Sequence, residues 1–522
     1  MTTMNNDCCI VIPIYNTTPS YFENVSILNV IDMYSNKYDI VFIHPKNFNT
    51  QSYNNYQLNF IEYDKWDGNI NSYNFMCLST DFYEIFSNYN YILLSQTDSL
   101  ILNDSLDYWI SKNYDFIGSP EISNILNKYN LSFTHYNYNG GFSLRKVEAF
   151  IKATKFLNER NISDTFYEDA IYSLLPNNTL NKCPFSEAKY FSVSHIVSND
   201  IIPDYYDDTF DVSKIFGVHK FNINSKRFNV STKPEFFKYV KPKIFAKCFD
   251  IVNKHFKDTS TKDCAIIIPV YNETPKILEE VSILNTLRMY NDKYDIYMIH
   301  SENLDISYYS KRFCELKIIS ISKDIWDNTY LSYNNMCLNP YFYNLFSDYK
   351  YVCLVQTDAY IFKTNLDDWL NMNYDYIGGP SLITCKTGFW KDVRNDNIVE
   401  IVKEDKYYNY NGGLSIRNVN KFVNICNLLS ILYYYGDSED IIFSTINAVT
   451  KTNILNLCSY ENAKVFSNDY NTDVTDEEIN SLFGCHNIHR YYESQLFEQL
   501  LQQYATLYEK INKNFIRHLA TV

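Results

Sequence analysis

Two aspartates at the ends of apolar runs are the residues of this chain best suited to chemistry. Asp98 closes the motif Gln-Thr-Asp after one such run, and Asp358 closes the same motif after another. A carboxylate at the end of a buried strand has little water around it and needs a cation. Its hard oxygens suit magnesium or manganese. The structural alternative is an aspartate that caps the next turn, and the recurrence of the motif favours the metal.

An acidic pair also occurs twice, as Glu168-Asp169 and Glu439-Asp440, each time before an apolar helical run. Acidic side chains there complement the positive end of the helix dipole, which is a sufficient structural reason for them. A carboxylate aimed into a pocket is equally what a general base requires. The residues alone leave both interpretations open.

A third repeated motif is Asn-Gly-Gly, at Gly140-Gly141 and at Gly412-Gly413. Adjacent glycines let the backbone approach a ligand closely, and a tight turn with positive φ is the alternative. Both interpretations stay open from the sequence.

The fourth repeated element is a histidine that follows Phe-Gly near the end of each half, His219 and His486. A single histidine of this kind is usually an ordinary core or surface residue. Its recurrence fits a metal ligand contributed late in the chain.

These motifs belong to two copies of one domain-sized unit. The offset between copies runs from 256 to 272 residues, which is too long for a solenoid repeat and is the size of a whole domain. Short apolar strands alternate with helical stretches such as Ser20–Tyr34 and Ser72–Ser87, and this order predicts an α/β fold with mostly parallel sheets. Sites in such sheets lie beyond the carboxyl ends of the strands.

The predicted organisation is two tandem domains, a basic and helical linker, and a C-terminal helix. The boundaries are 1–222 for the first domain, 223–262 for the linker, 263–490 for the second domain and 491–522 for the helical tail.

The composition and the net charge of the chain restrict the classes of partner that it can bind. The net charge of −15 argues against nucleic acid. The segment 220–262 is basic, and it is either a solvated linker or a surface for anionic lipid or a lipid-diphosphate substrate. The tail is either a helix packed on its own domain or on a second copy, or a membrane-surface helix. The thirteen cysteines show no zinc spacing, and no signal peptide or membrane span is apparent. We therefore expect a cytoplasmic protein, with peripheral contact at the inner face of the membrane as an option and the oligomeric state open.

In order, the motifs resemble those of nucleotide-sugar glycosyltransferases with the GT-A fold. More narrowly, each half is similar to a domain family of unknown function grouped with glycosyltransferases. The first half carries IPIYN, YILLSQTDSLIL, YDFIGSP, NGGFSLR, YEDAIYS and FGVH, and the second carries IPVYN, YVCLVQTDAYIF, YDYIGGP, NGGLSIR, SEDIIFS and FGCH. The resemblance covers nearly all of both halves and excludes the linker and the tail.

The resemblance implies a metal site in each half, formed by Asp98 with His219 and by Asp358 with His486. Family members have Asp-x-Asp where this chain has Gln-Thr-Asp, and the glutamine brings no charge, so metal dependence is itself a question. The residues that the resemblance places around the nucleotide-sugar are Pro13, Tyr15, Asn16, Asn74, Gln96, Asp98, Gly140 and Gly141 in the first half, with Pro269, Tyr271, Asn272, Asn334, Gln356, Asp358, Gly412 and Gly413 in the second.

The implied activity is an inverting transfer of sugar from a nucleotide-sugar, a UDP-sugar by preference, assisted by Mn²⁺ or Mg²⁺. Asp169 and Asp440, with Glu168 and Glu439 beside them, match the catalytic base of inverting enzymes. The acceptor is expected to be a glycan, a lipid-linked glycan or a protein-linked glycan, and both halves are expected to be catalytic.

Three other functions compete with this one. One half could be active while the other binds glycan, or the whole chain could be a carbohydrate-binding protein without activity. A nucleotidyltransferase is disfavoured because IPIYNTTP is not the glycine-rich, basic phosphate loop that such enzymes place after the first strand.

Overall fold

The computed structural model describes residues 6–122, 136–160, 167–194, 210–221, 234–382, 408–432, 438–469 and 481–487. The chain divides into two compact units, Met1–Val252 with Ser430–Leu432 and Asn253–Leu429 with Tyr433–Val522. Each unit contains one of the two sequence copies. Within the segment predicted as a linker, Pro234–His255 form a helix. The predicted helical tail at 491–522 lies outside the described residues.

Each unit has nine described strands. Those of the first unit are β1 Cys8–Pro13, β2 Asp39–Pro45, β3 Asn59–Tyr63, β4 Tyr91–Ser95, β5 Ser99–Ile101, β6 Phe116–Ile122, β7 Tyr136–Lys146, β8 Ser192–Ser194 and β9 Gly217–His219. Those of the second unit are β10 Lys262–Pro269, β11 Asp295–Ser301, β12 Lys317–Ile321, β13 Tyr349–Val355, β14 Tyr360–Ile361, β15 Tyr376–Leu382, β16 Tyr408–Asn418, β17 Ser467–Asn468 and β18 Gly484–Cys485.

The two units have the same sheet topology. The first has a six-stranded sheet in the order β3-β2-β1-β4-β7-β6 and a small sheet in the order β5-β9-β8. The second has β12-β11-β10-β13-β16-β15 and β14-β18-β17. The first four strands of each large sheet are parallel, and β7 and β16 are antiparallel to both of their neighbours. The predicted tandem α/β architecture with mostly parallel sheets is confirmed.

Helices connect the strands in both units. In the first unit they are Tyr21–Tyr34, Ile70–Leu78, Thr80–Glu84, Leu106–Ser111, Val147–Glu159, Glu168–Leu174 and Phe185–Phe191, with 3-10 turns at Gln51–Tyr56 and Val212–Lys214. The helix Pro234–His255 follows and includes the boundary between the units at Val252. In the second they are Ile277–Tyr290, Ser307–Arg312, Tyr330–Cys337, Pro340–Asn344, Leu366–Asn371, Val419–Leu432, Glu439–Thr450 and Tyr460–Phe466. In the described residues, no helix combines the length and apolar character needed to cross a membrane.

The predicted helix Ser72–Ser87 is two helices instead of one. Ser79 lies between them in extended backbone (φ −89°, ψ 137°), and its hydroxyl donates to the carbonyl of Phe75 at 2.7 Å. A serine that bonds the preceding turn competes with continuation of the helix. In the second unit Pro340 begins the second of the two corresponding helices.

Strand burial explains the apolar sequence runs. All six positions of β1 and all five of β4 are buried, because helices cover both faces of a parallel sheet. The polar residues that matter for chemistry therefore lie where these strands end.

A further motif that both copies share, Lys-Tyr-Asp-Ile at 37–40 and 293–296, is structural. Lys37 and Tyr38, just before β2, both bond Asp107 in the first turn of the helix Leu106–Ser111. Lys293-Tyr294 make the same two bonds to Asp367. These contacts lie at the amino ends of the strands, on the opposite edge of the sheet from the Gln-Thr-Asp motifs. A motif that recurs in both copies can therefore belong to the scaffold and need not be part of a candidate site.

Candidate active site

The carboxyl end of β4 and the middle of β7 meet at one place. The main-chain N–H of Gln96 donates to the carbonyl of Gly141 at 2.8 Å, and in the second unit Gln356 does the same to Gly413 at 2.8 Å. The antiparallel pairing of β4 with β7 sets this register. Because of it, the Gln-Thr-Asp motif and the Asn-Gly-Gly motif form one site.

The small sheet brings His219 to the first site. Ser99, directly after Asp98, pairs with His219 across β5 and β9. The Nε2 atom of His219 consequently lies 3.2 Å from the Oδ1 atom of Asp98 and 3.1 Å from the Oε1 atom of Gln96. The imidazole is 2% exposed, whereas the Asp98 side chain is 31% exposed and opens toward solvent.

The second unit repeats this arrangement. The Nε2 atom of His486 lies 3.3 Å from the Oδ1 atom of Asp358 and 3.0 Å from the Oε1 atom of Gln356. One contact is additional, since the Gln356 amide donates to the Tyr271 hydroxyl at 3.1 Å. The glutamine thus has a fixed orientation, with its oxygen toward the histidine.

These donors fit a divalent cation. One carboxylate oxygen, one amide oxygen and one imidazole nitrogen converge in each unit, and such mixed oxygen and nitrogen sets suit Mn²⁺ or Mg²⁺. Burial alone would raise the pKa of Asp98, but His219 and Lys220 outweigh it and the pKa lies below its ordinary value. Asp98 is therefore a carboxylate at neutral pH. In the described residues no group of three or more His, Cys, Asp or Glu side chains forms a metal site, so solvent or ligand oxygens would have to complete the coordination.

The glycines of Asn-Gly-Gly are required by close packing. A Cβ on Gly141 would lie 2.3 Å from His219 Nε2 and 2.4 Å from Gln96 Oε1, and one on Gly413 would lie 2.2 Å from His486 Nε2. Neither glycine has positive φ, because in the described residues that conformation occurs in glycine only at Gly68. The tight-turn alternative is thereby wrong, and these positions lie within a strand that passes against the site.

The two members of each acidic pair have different surroundings. Glu168 accepts a bond from Arg145 Nη2 at 3.0 Å, and this arginine is 0% exposed. The same guanidinium donates to Tyr83 at 2.8 Å and lies over three aromatic rings, those of Phe116, Phe150 and Tyr172. A buried charge needs such a partner, so the ion pair gives Glu168 a structural task.

The second unit reproduces the buried pair. Arg417 Nη2 donates to Glu439 at 2.9 Å and Nη1 donates to Tyr343 at 2.9 Å, and Arg417 is also 0% exposed. In both units the arginine bonds the carbonyl of the first glycine of Asn-Gly-Gly as well, at 3.2 Å for Gly140 and 3.4 Å for Gly412. The pair thus holds the acidic helix against the glycine strand.

Asp169 and Asp440 are the half-buried members of the pairs. Asp169 accepts bonds from the main-chain N–H of Gly140 at 3.2 Å and of Ala170 at 2.7 Å. Asp440 accepts from the Asn409 amide at 3.0 Å and from the N–H of Ile441 at 2.8 Å. Burial, followed by the neighbouring Glu439, raises the pKa of Asp440 to about 7. A carboxylate with a pKa near the working pH is suited to accept a proton.

The predicted nucleotide-side residues of the first unit lie at the end of β1. Pro13 is buried, Asn16 is exposed and Tyr15 is 53% exposed. Partial burial, with Asp98 and then Glu23, raises the pKa of Tyr15, so its ring lies within the electrostatic range of the site. Asn74 is buried in the helix Ile70–Leu78.

In the second unit the corresponding tyrosine is placed differently. Pro269 is buried and Asn272 exposed, as in the first unit, and Asn334 is buried. Tyr271 packs against the rings of Trp326 and Tyr333, with centroids 5.5 Å from each. The two sites therefore present different aromatic surfaces beside the same central group.

Sequence reasoning missed two positioning residues in the first unit. Glu23 accepts bonds from the Asn16 amide at 2.8 Å and from the Thr97 hydroxyl at 3.1 Å, and so connects the end of β1 with the Gln-Thr-Asp motif. Arg145 stands inside the repeated NGGFSLR motif, and that recurrence was the available signal for it. For Glu23 the signal was weaker, since it also forms a capping box with Ser20.

The fold and the paired sites define a tandem duplication of one α/β domain. The chain belongs to the family described as "Protein of unknown function (DUF5672)", whose model matches residues 55–209 and 315–486. Each matched segment contains one Gln-Thr-Asp motif, one Asn-Gly-Gly motif and one acidic pair. No curated protein matches the sequence.

Several solved glycosyltransferases are similar to parts of this chain. Core-mannan synthase A from Aspergillus fumigatus, in its Mn/GDP form, is 14% identical, covers 37% of this chain and 71% of its own, and has a TM-score of 0.27. The mannosyltransferase Ktr4p of S. cerevisiae in complex with GDP is 13% identical, covers 42% and 77%, and scores 0.27. The apo-form glycosyltransferase GlyE of Streptococcus pneumoniae TIGR4 is 11% identical, covers 60% and 79%, and scores 0.28. At these TM-scores the likeness carries no inference about fold or function.

Proposed function

We propose that each unit of this chain is a metal-assisted glycosyltransferase site that moves a sugar from a nucleotide-sugar to a glycan, lipid-linked glycan or protein-linked glycan. The observation that carries the proposal is the position of two adjacent glycines in the first unit. Gly140 is bonded to Asp169, and Gly141 packs on His219 and Gln96. A candidate base and a candidate cation site thus face one short stretch of backbone.

This arrangement suits direct displacement at an anomeric carbon. The bond between that carbon and the diphosphate oxygen breaks while the acceptor oxygen bonds to the opposite face. Asp169, or Asp440 in the second unit, takes the proton of the acceptor hydroxyl. A divalent cation bound by Asp98, His219 and Gln96, or by Asp358, His486 and Gln356, would offset the charge of the departing diphosphate. The anomeric configuration inverts in this scheme.

The glutamates beside the bases serve as positioning residues in this proposal. Glu168 and Glu439 hold buried arginines that also bond the glycine strand, so they fix the distance between base and backbone. Positioning of this kind is worth large factors in rate, because a small displacement of a reacting group removes much of the advantage.

The proposal also covers the identity of the sugar donor and of the acceptor. A UDP-sugar is the first donor to test, on the resemblance of the motifs alone. Peripheral contact with anionic lipid through the basic segment 223–262 would suit a lipid-linked acceptor. A binding protein without activity is the second candidate function, and the uncharged Gln96 and Gln356 are the observation that favours it.

Nucleoside diphosphate binding tests the proposal directly. We would titrate UDP and GDP into the full chain by calorimetry, with and without manganese, for the wild type, Asp98→Asn, Asp358→Asn and the double variant. The proposal predicts manganese-dependent binding that each single variant reduces and the double variant abolishes. Binding of neither nucleotide, or binding indifferent to both aspartates, would contradict it.

A further inference from the structure

The tyrosine that follows the first strand takes a different position in each unit. Tyr15 is 53% exposed, and within the part of the chain that the structure describes its ring packs against no other aromatic ring. Tyr271 is half-buried, and its ring centroid lies 5.5 Å from those of Trp326 and Tyr333. The same residue type at the same point of the fold therefore faces solvent in one unit and the interior in the other.

The aromatic rings that receive Tyr271 do not explain this difference, because both units have them. In the first unit Trp66 and Tyr73 pack with their centroids 5.5 Å apart, and in the second Trp326 and Tyr333 pack at 5.8 Å. All four side chains are buried. Another residue must set the position of the tyrosine.

That residue follows the Trp-Asp sequence that both copies share, and it is Gly68 in the first and Asn328 in the second. Both have positive φ, 90° and 71°, a conformation that glycine and asparagine adopt more readily than other residues. Only the asparagine has a side chain that can bond, and its amide donates to the carbonyl of Tyr271 at 2.6 Å. In the first unit the main chain is held one residue later, where the Tyr53 hydroxyl donates to the carbonyl of Asn16 at 2.7 Å.

The inward position brings the Tyr271 hydroxyl to the candidate cation site. It accepts a bond from the Gln356 amide nitrogen at 3.1 Å, while the Oε1 atom of Gln356 lies 3.0 Å from the Nε2 atom of His486. An amide whose nitrogen is held in this way presents its oxygen to a cation. Among the described residues, the Gln96 side chain of the first unit has one hydrogen bond, that of its oxygen with His219 at 3.1 Å, and the buried Tyr73 hydroxyl has none.

We propose that Asn328 and Tyr271 are positioning residues of the second candidate cation site. Asn328 holds the main chain of Tyr271, and the Tyr271 hydroxyl holds the Gln356 amide with its oxygen toward the cation. The first unit has Gly68 instead, so its glutamine lacks this support and Tyr15 stays at the surface. The inference rests on the proposed function in taking Gln356 as a cation ligand, and it gives Tyr271 a task different from contact with the nucleotide-sugar.

Manganese binding to the full chain, followed by the electron paramagnetic resonance signal of free Mn²⁺, tests the inference without any turnover. A chain with Asp98→Asn reports the second site. Addition of Tyr271→Phe keeps the ring and removes only the hydroxyl, so we expect the dissociation constant to rise about tenfold, the lower end of the effect of groups that orient metal ligands. The matched comparison is Tyr15→Phe in a chain with Asp358→Asn, in which manganese affinity should not change.

Exchange of the two loop residues tests the origin of the difference. Asn328→Gly removes the bond to Tyr271 and keeps a residue that adopts positive φ. Gly68→Asn has room, because a Cβ there would meet only the Cγ atom of Pro45, at 3.5 Å. Hydroxyl-radical labelling read by peptide mass spectrometry reports the exposure of each ring, and in the wild type Tyr15 should label faster than Tyr271. Asn328→Gly should raise the labelling of Tyr271 and weaken the second site about tenfold, and Gly68→Asn should lower the labelling of Tyr15.

Thermal unfolding distinguishes weaker positioning from loss of the fold. Tyr271→Phe should melt near the wild-type temperature, so that its weaker manganese binding reports the orientation of Gln356. Manganese binding that is lost with Asp358→Asn but unmoved by Tyr271→Phe and by Asn328→Gly would overturn the inference and leave the proposed function standing. Equal labelling of Tyr15 and Tyr271 in the wild type would also overturn it. Manganese binding that neither Asp98→Asn nor Asp358→Asn affects would overturn both the inference and the proposed function.

Discussion

Replacement of Glu168 by glutamine tests the proposed division of roles, in which Glu168 is a structural acid and Asp169 is the catalytic base. Glu168 and Asp169 are adjacent in sequence, and only Glu168 bonds the fully buried Arg145, at 3.0 Å. Glutamine keeps the size of the side chain and one acceptor oxygen but removes the charge. The guanidinium would then be left as a buried cation without a counter-charge.

The expected loss in the free energy of unfolding for Glu168→Gln follows from the burial of the Glu168–Arg145 ion pair. Removal of one partner of a buried ion pair costs about 3–5 kcal/mol. The retained acceptor and the aromatic rings around Arg145 place Glu168→Gln near the lower end, at about 3 kcal/mol. For a domain of this size each kcal/mol lowers the melting temperature by about 2–4 °C, so we expect roughly 6–12 °C for the first unit.

The assay must distinguish the two units within one chain. Hydrogen exchange along a denaturant series, measured on peptides of each unit, reports their opening free energies separately. The second unit is the internal reference for Glu168→Gln, and the first unit serves in turn for Glu439→Gln. Glu148→Gln is the matched control, because its ion pair with Lys152 is 74% and 71% exposed and should leave exchange unchanged.

Asp169→Asn should show the opposite behaviour. Each carboxylate oxygen of Asp169 accepts one main-chain bond, from Gly140 and from Ala170, and asparagine can keep only one of them. The exchange of the first unit should therefore report a loss of about 1 kcal/mol, well below that of Glu168→Gln, while its transfer activity is lost. If Glu168→Gln leaves exchange unchanged and removes activity, the glutamate is the proton acceptor and the assignment of roles is wrong.

Three further predictions follow from the same structure. In a chain whose first unit carries Asp169→Asn, the remaining turnover should fall as the pH drops through about 7. Burial and then Glu439 raise the pKa of the Asp440 carboxyl group to about 7, and its protonated form cannot accept a proton. A rate that does not change between pH 5 and 8 would contradict this prediction. Gly141→Ala should lower the turnover of the first unit at least about a hundredfold, because the new Cβ would lie 2.3 Å from the Nε2 atom of His219. Single-turnover measurements on Gly141→Ala and on Gly413→Ala, which makes the same change in the second unit, would check this prediction. Asn29→Ala should cost about 2–3 kcal/mol in the exchange assay, because its amide exchanges buried bonds of 3.1 Å and 2.6 Å with the main chain of Ile101; an unchanged first unit would refute the argument.

Much of the scaffold could be predicted from sequence because its signals are local. Continuous apolar runs predict the buried parallel strands, and Asp98 and Asp358 are predicted to lie where two of these strands end. The contact of His219 with Asp98 is different. It depends on the antiparallel pairing of β5 with β9, whose residues are more than a hundred positions apart in the chain, and no local pattern encodes that pairing. The recurrence of the histidine could suggest it but could not establish the distance.

A comparison of the two copies selects candidate site residues that both copies share, and it gives no information about residues in which the copies differ. It selected Asp169 and Glu168 together, because both recur, and only the position of Arg145 separates their surroundings. It also selected the pair Lys37-Tyr38, which proves to bond the scaffold at Asp107. The buried Asp469 of the second unit was not selected, for the converse reason. The first copy has Ser194 at the corresponding position, and a comparison of the copies discards residues that they do not share.

Turnover of nucleotide-sugars by four proteins tests the central claim most directly. We would measure nucleoside diphosphate release and sugar transfer on a donor panel with manganese, for the wild type, Asp98→Asn, Asp358→Asn and the double variant. Two working sites predict partial loss in each single variant and complete loss in the double variant. A wild type that binds glycans but releases no nucleoside diphosphate from any donor would contradict the account.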